Sequence, residues 1–188
     1  MGFVKMLQNL FGNTPKQVEV LILGLDNSGK TTIVNRLKSS ENLDSGTVPT
    51  VGQNVDKFVA ADLTFNTFDM SGQSKYRNLW ETHYRTVHGI IFVVDSTDKM
   101  RLALARDELW MMLDHRDVAY KKVPLLILAN KNDSKDALSA TDVHLSLGLD
   151  MIRNRNWHIA STCALSGLGL IEAIEWLGVN IKQYIETQ

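Results

Sequence analysis

Residues 24–31 read Gly-Leu-Asp-Asn-Ser-Gly-Lys-Thr and directly follow an apolar stretch at 18–23. This order is typical of a strand, a phosphate-binding loop and a helix. Glycines at both ends let backbone N–H groups turn inward around a phosphate, and the helix adds the positive end of its dipole. Lys30 is placed to contact the outer phosphates, and the Thr31 hydroxyl to bind Mg²⁺. The alternative is a plain glycine turn, but the preceding strand, the glycine spacing and the Lys-Thr ending all favour the phosphate loop.

The composition is that of an ordinary globular protein. Of 188 residues, 44% are apolar and 22% are charged, enough for a single domain with one good core. Twenty basic residues against 21 acidic ones give a formal net charge of −1. No strong overall field therefore draws the protein to nucleic acid or anionic lipid, so we expect no nucleic-acid partner and only local membrane contact.

Cysteine usage and hydropathy suggest where the protein works. The single cysteine, Cys163, cannot form an internal disulfide, and no Cys/His cluster has the spacing of a zinc site. This favours a reducing, cytoplasmic environment. No apolar run approaches the roughly 20 residues of a membrane-spanning helix, and the N-terminal residues lack the long apolar core and cleavage site expected of a secretory signal. We expect a soluble or peripheral membrane protein, and a monomer.

The periodicity predicts an α/β fold. Helical patterns alternate with strands in the later part of the chain, which is typical of a mostly parallel sheet with helices on both faces. Residues 55–59 and 63–68, joined by a turn at Ala61-Asp62, predict an antiparallel hairpin at one side. A closing helix is predicted from the helical spacing of Leu170, Ile174, Leu177 and Ile181. The six predicted strands are 18–23, 55–59, 63–68, 89–94, 123–129 and 157–163.

Residues 69–73, Asp-Met-Ser-Gly-Gln, follow the predicted strand at 63–68. Asp69 can hold a Mg²⁺-bound water there, Gly72 lets backbone approach a terminal phosphate, and Gln73 lies near an attacking water. A polar loop with a glycine turn is the alternative interpretation, and it would be favoured if this segment stood alone. Its combination with the phosphate loop favours the metal-phosphate site.

Thr50 lies between Pro49 and Gly52, where its hydroxyl is a candidate second Mg²⁺ ligand on a movable loop. If Thr50 and Gly72 both contact the terminal phosphate, loss of that phosphate releases two loops at once. The protein would then be a switch.

The segment Asn-Lys-Asn-Asp at 130–133 follows a buried strand, at the edge where open parallel sheets bind ligands. Asp133 is expected to accept hydrogen bonds from the ring N–H and amino group of guanine. Adenine lacks both donors on that edge, which leaves the carboxylate unpaired at a cost of about 1–3 kcal/mol or more. Lys131 would lie along the base and Asn130 would brace the loop. Backbone N–H groups at 161–164 are placed to reach the guanine carbonyl.

These five segments, in this order, resemble those of small GTPases, and residues 24–32 with 69–73 resemble the Arf and Arf-like branch. The resemblance covers nearly the whole chain and implies a P-loop NTPase small G domain at 16–188 that hydrolyses GTP to GDP. Gln73 would orient the attacking water, Thr31 and Thr50 would ligate Mg²⁺, and Asp69 would hold it through water. The implied nucleotide-binding residues are Gly24, Asp26, Asn27, Ser28, Gly29, Lys30, Thr31, Thr32, Thr50, Gly72, Asn130, Lys131, Asp133, Cys163 and Ala164.

The resemblance also implies regulators. Asp26 stands where many Ras-type GTPases have glycine, and a carboxylate there adds negative charge near the developing one. No internal arginine finger is identifiable in the sequence. We therefore expect slow unaided hydrolysis, accelerated by a GTPase-activating protein, with an exchange factor to reload GTP. An arginine supplied in trans raises the rate roughly 10³–10⁵-fold in comparable systems.

Residues 1–15 predict an N-terminal amphipathic helix and linker. In Arf-like proteins such a helix is released onto membrane in the GTP state, and the alternative is a helix that packs on the core in every state. Gly2 invites myristoylation, but Met6 stands where the acceptor motif needs Ser or Thr, so we expect no acyl chain. With Lys5 as its only basic residue, lipid affinity should be weak. Its apolar positions are Phe3, Leu7, Leu10 and Phe11.

Three segments, one of which includes residues 69–73, most closely resemble an Arf-like subfamily associated with Bardet–Biedl syndrome, which recruits the BBSome coat at cilia. They are residues 68–73, 76–81 and 156–159. This implies the BBSome as effector and a cilium or basal-body location. On the effector face, Gln53 replaces an aromatic residue and His83 a common tyrosine, although both could simply be solvated. Phe68 and Trp80 are expected to keep the surface apolar.

Residues 110–112, Trp-Met-Met, are interpreted as helix packing rather than a binding site. Two functional alternatives to the switch remain. A P-loop phosphotransferase would need an acceptor pocket and an arginine-bearing lid that the sequence does not show. A GTP-locked scaffold would bind GTP with negligible hydrolysis.

Overall fold

The computed structural model describes residues 15–38 and 50–188, which form one sheet with helices packed on it. The predicted N-terminal helix and part of the loop before Thr50 lie outside the described residues. The strands are β1 (Lys16–Leu23), β2 (Gln53–Ala60), β3 (Leu63–Met70), β4 (Gly89–Asp95), β5 (Leu125–Asn130) and β6 (Trp157–Ser161). The α-helices are α1 (Lys30–Lys38), α2 (Leu102–Asp114), α3 (Arg116–Lys121), α4 (Ala140–Leu147) and α5 (Leu170–Glu186), with 3₁₀ helices at Ser74–His83, Lys99–Arg101 and Leu149–Met151.

The sheet has six strands in the order β2-β3-β1-β4-β5-β6. Every neighbouring pair is parallel except the β2–β3 hairpin. The hairpin turns at Ala61 and Asp62, which both adopt positive φ angles of 49° and 56°. The predicted α/β fold, with its parallel sheet and single antiparallel hairpin, is confirmed.

Most strands differ from the predicted bounds by one or two residues at an end, and two of these differences have clear backbone reasons. β5 begins at Leu125 rather than residue 123, because Pro124 has no N–H to give to the ladder. Its carbonyl instead accepts from Ile90 N–H at 3.0 Å. β6 ends at Ser161, and the Cys163 N–H donates across the following loop to Leu168 O at 3.1 Å.

Both faces of the sheet are buried, as a parallel sheet requires. All six residues of β5 are buried, and alternate residues belong to opposite faces. One face packs against α2, α3 and α4, and the other against α1 and α5. The predicted closing helix is confirmed, since Leu170, Ile174, Leu177 and Ile181 are buried on the second face. Among the residues described, no helix combines the length and apolarity needed to cross a bilayer.

Two expectations about individual side chains are wrong. Trp80 is only 2% exposed and donates its indole N–H to Ser71 O at 3.1 Å, so it belongs to the core and not to the effector surface. Met111 is 67% exposed, because the buried residues of α2 recur on the face that carries Leu109 and Met112. Trp110 packs as expected, with its indole N–H bonded to Leu147 O at 2.8 Å.

Candidate functional site

The phosphate loop connects the end of β1 to the start of α1, as the sequence predicts. The Lys30 side chain folds back along the loop, and its ammonium donates to Gly24 O at 3.0 Å and Leu25 O at 2.8 Å. Burial lowers its pKa to about 8, although Asp69 and Asp26 partly oppose this shift. The buried ammonium of Lys30 is therefore positioned to bind an anion at the N-terminus of α1.

Gly24 and Gly72 are needed where backbones approach closely. Gly24 has φ +136°, and a Cβ there would lie 2.1 Å from Val93 O. A Cβ on Gly72 would lie 2.2 Å from the Asp26 N atom, because the segment after β3 packs directly on the phosphate loop. Gly72 therefore lies at the Asp26 end of that loop.

Three oxygen-bearing side chains from separate segments converge beside the loop. The Thr31 hydroxyl donates to Asp69 Oδ2 at 2.6 Å, and it lies 3.0 Å from the Thr50 hydroxyl. The Thr50 hydroxyl lies 3.5 Å from the same Asp69 oxygen.

This oxygen cluster fits a hard divalent cation. Asp69 Oδ1 is buried without a hydrogen-bond partner among the described residues. Burial also raises the pKa of Asp69, since the charged form is poorly solvated there. Hydroxyl and carboxylate oxygens are the donors that Mg²⁺ prefers, and a cation would offset both costs. No group of three or more His, Cys, Asp or Glu side chains in the described part of the chain offers an alternative metal site.

The segment after Asp69 is held by backbone contacts. Ser71 N–H donates to Gly52 O at 2.9 Å, which links it to the stretch that follows Thr50. Arg77 donates its Nε–H to Gly72 O at 3.0 Å and also forms an ion pair with Glu108 of α2. Sequence reasoning missed this role of Arg77, since no spacing rule connects it to α2. Gln73 is half-buried beside the loop.

The end of β5, where the sequence predicts base binding, is tied to the phosphate loop. Asn130 donates from Nδ2 to Ser28 O at 2.9 Å, and so ties the end of β5 to the phosphate loop. Lys131 donates to Asp95 Oδ2 at 2.6 Å. Burial alone would raise the pKa of Asp95, but hydrogen bonds from Lys131 and Thr97 outweigh it and lower that pKa. Asp133 is exposed and has no hydrogen bond with any residue that the structure describes.

The backbone N–H groups after β6 already have protein partners. Ala164 N–H donates to Asn130 Oδ1 at 3.0 Å, and Cys163 N–H to Leu168 O. A guanine carbonyl would therefore have to share or displace these bonds, a detail that the sequence could not show.

Asp26 also differs from expectation. Its carboxylate is paired with Arg101, at 3.1 Å between Asp26 Oδ1 and an Arg101 guanidinium nitrogen. The charge that Asp26 brings to the loop is thus compensated by an arginine from the short 3₁₀ helix before α2. Neither the charge pattern nor any motif pointed to Arg101.

These segments enclose a cavity of ≈ 240 Å³ between the phosphate loop and the two segments that carry Thr50 and Gly72. Most of the predicted phosphate and metal residues meet there. The predicted site residues outside its lining are Gly24, Ser28, Asp69, Asn130, Asp133, Cys163 and Ala164. The lining residues are Asp26, Asn27, Gly29, Lys30, Thr31, Thr32, Thr50, Ser71, Gly72, Gln73 and Lys131.

Comparison with known proteins shows the family. The profile of the ADP-ribosylation factor (Arf) family matches residues 3–181. The chain belongs to the Arf family. It is therefore a small GTPase that binds GTP and GDP and hydrolyses GTP.

Several proteins resemble this Arf-family chain over at least 90% of its length. ADP-ribosylation factor-like protein 6 of Caenorhabditis briggsae is 48% identical over 188 residues, covering 100% of this chain and 99% of that protein. The protein of the same name from Danio rerio is 47% identical over 182 residues, 97% and 98% of the two chains. Among solved structures, the Arl6 BBS3 small GTPase from Trypanosoma brucei, with bound nucleotide analogue GppNp, matches with a TM-score of 0.83. The two sequences are 36% identical, and the match covers 90% of this chain and 99% of that one.

Proposed function

We propose that this Arf-family GTPase is a switch in which Mg²⁺ and the terminal phosphate of GTP hold two segments against the phosphate loop. The observation that carries this proposal is that the Thr31 and Thr50 hydroxyls converge on Asp69 Oδ2, while the buried Oδ1 of the same carboxylate has no hydrogen-bond partner among the described residues. Thr50 and Gly72 belong to different segments, and the Ser71–Gly52 hydrogen bond joins them. Hydrolysis would remove the ligand that both segments share, so both would be released together.

The remaining residues have distinct proposed roles. Lys30 and the backbone N–H groups of the loop would bind the β- and γ-phosphates. Thr31 and Thr50 would hold Mg²⁺ directly, and Asp69 would hold it through a water. Asp133 selects guanine, while Asn130 holds the base-binding loop to Ser28. Mg²⁺ would neutralise charge on the phosphate oxygens. Gln73 orients the attacking water, and without an activating protein hydrolysis is slow.

Gln73→Leu should lower the single-turnover rate of GTP hydrolysis by about tenfold to a hundredfold, because the attacking water loses its hydrogen-bonding partner. Affinity for GTP should stay within about twofold, since the leucine removes no phosphate contact. Phosphate release from preloaded protein measures the rate. Gln53→Leu, a glutamine outside the cavity lining, is the control and should hydrolyse GTP like the wild type. An unchanged rate in Gln73→Leu would show that Gln73 does not position the water.

We also propose that the GTP form recruits the BBSome coat to ciliary membrane. This finer assignment is supported by relatives named ADP-ribosylation factor-like protein 6 and by the BBS3 GTPase structure. Two polar residues of the effector face are paired with each other: His83 Nε2 lies 2.6 Å from Gln53 Oε1. The His83 ring also stacks on the Phe68 ring, with 4.2 Å between the ring centroids. Burial lowers the pKa of His83, which keeps its ring neutral. An effector that binds this face would therefore contact the neutral His83–Gln53 pair and the Phe68 ring on which His83 stacks.

Membrane contact is proposed to come from residues 1–15, with the G domain at 16–188. Flotation with liposomes should recover more protein loaded with a non-hydrolysable GTP analogue than with GDP, and more again when purified BBSome is added. A single basic residue, Lys5, gives only weak lipid attraction, so the partner supplies the rest. Protein lacking residues 1–15 is the control and should stay unbound. Equal recovery with both nucleotides in the presence of the coat would contradict this proposal.

A further inference from the structure

Arg101 lies in the short 3₁₀ helix before α2 and bridges two acidic residues. Its Nε donates to Asp98 Oδ2 at 2.5 Å, and its backbone N–H donates to the other oxygen of the same carboxylate at 3.2 Å. The guanidinium then reaches the phosphate loop, with bonds to Asp26 Oδ1 at 3.1 Å and Asp26 O at 3.4 Å. Asp98 thus fixes the orientation of a cation that points at the loop.

The position of Asp26 makes this contact relevant to the nucleotide. Asp26 lines the cavity together with Gln73, and Gly72 packs on its backbone. This is the end at which the proposed function places the terminal phosphate. A free carboxylate there would repel the triphosphate more than the diphosphate, because the extra negative charge of GTP lies closest to it.

The ion pair also constrains the loop. Arg101 holds both the side chain and the carbonyl of Asp26, so the carboxylate is turned toward α2. The pair is partly exposed, with 33% of the Arg101 side chain and 47% of the Asp26 side chain accessible. Its effect should therefore weaken with salt.

We propose that Arg101 is a positioning residue that compensates Asp26 and holds it away from the terminal phosphate, so that affinity for GTP, more than for GDP, depends on it. This inference rests on the proposed nucleotide site. Arg101 acts through Asp26, and it does not line the cavity itself. Its loss should therefore matter only while the Asp26 carboxylate is present.

The test is a double-mutant cycle with Arg101→Gln and Asp26→Asn, in which dissociation of fluorescent GTP and GDP analogues is followed in the presence of Mg²⁺. Arg101→Gln should speed dissociation of the GTP analogue about tenfold and that of the GDP analogue about twofold. In the Asp26→Asn background, the same substitution should change either rate by less than about twofold. Raising the salt concentration should shrink the effect of Arg101→Gln alone.

Arg106→Gln is the matched control, since Arg106 is an exposed arginine of α2 without an ion pair to the phosphate loop in the described residues. It should leave both rates unchanged. Equal acceleration by Arg101→Gln in both Asp26 backgrounds, or for both nucleotides, would overturn the proposal and leave Arg101 a purely structural contact. Failure of the wild type to bind guanine nucleotides would instead overturn the proposed function.

Discussion

Lys30→Met should weaken binding of both GTP and GDP by about 10²–10⁴-fold. The ammonium would make two charge-assisted hydrogen bonds to phosphate oxygens, each worth about 1.5–3 kcal/mol. Methionine keeps most of the side-chain volume while removing the charge. A fluorescence titration with a labelled GTP analogue in millimolar Mg²⁺ measures the affinity. A loss below about tenfold would show that Lys30 does not contact the phosphates.

The same lysine should make nucleotide binding depend on pH. Burial lowers the pKa of Lys30 to about 8 in the free protein, whereas bound phosphates would favour the ammonium and raise that pKa. Binding above pH 8 therefore takes up a proton, so affinity should fall by up to about tenfold per pH unit there. Calorimetry in buffers of different ionisation enthalpy detects the proton. Lys30→Met is the control: its affinity should not show this dependence on pH, because it has no ammonium to titrate.

Lys30→Met also removes the hydrogen bonds from the Lys30 ammonium to Gly24 O and Leu25 O. Some loss of stability is therefore expected without nucleotide. Thermal unfolding of the nucleotide-free proteins separates this effect from the loss of binding. If Lys30→Met unfolds under the binding conditions, Lys30→Arg, which keeps the charge but not the fit, should still bind more weakly than the wild type.

Asp133→Asn should abolish the preference for guanine. Loss of the carboxylate removes two hydrogen bonds to a charged acceptor, so affinity for GTP should fall about 10²–10⁴-fold. The asparagine amide can instead donate to the C2 carbonyl of xanthine and accept from its ring N–H, so affinity for xanthosine triphosphate should rise. Competition of GTP, ATP and xanthosine triphosphate against one labelled nucleotide gives all three affinities.

Asp136→Asn is the matched control, because Asp136 is exposed on the same loop and its side chain forms no hydrogen bond or ion pair with another described residue. It should leave the order of affinities unchanged. ATP competing as well as GTP for the wild-type protein would contradict the role assigned to Asp133. Asp133 is exposed and forms no hydrogen bond with a described residue, so its carboxylate is available to pair with a base.

Much of the fold follows from local sequence. The Gly-rich segment at 24–31 predicts its own strand, loop and helix, because glycine at Gly24 permits a backbone conformation that other residues rarely adopt. The continuous apolar run of β5 predicts a strand buried on both faces, and its end places Asn130 at the ligand-binding edge. Such signals depend only on neighbouring residues.

Other features could not be predicted because they depend on distant parts of the chain. Trp80 was expected at the surface, but the packing of its segment against Ser71 buries it. Met111 was expected in the core, yet the rotation of α2 about its axis turns it outward. Hydropathy classes both residues as apolar, but it does not indicate whether a neighbouring segment buries them.

The sequence by itself determined the phosphate loop, the parallel sheet with its hairpin, and the kinds of side chain that end each strand. Only the tertiary structure decided that Thr31, Thr50 and Asp69 meet, and that Arg101 reaches Asp26 across 75 residues of chain. The reason is physical: backbone conformation is set by adjacent residues, whereas the distance between two side chains is set by strand order and helix packing.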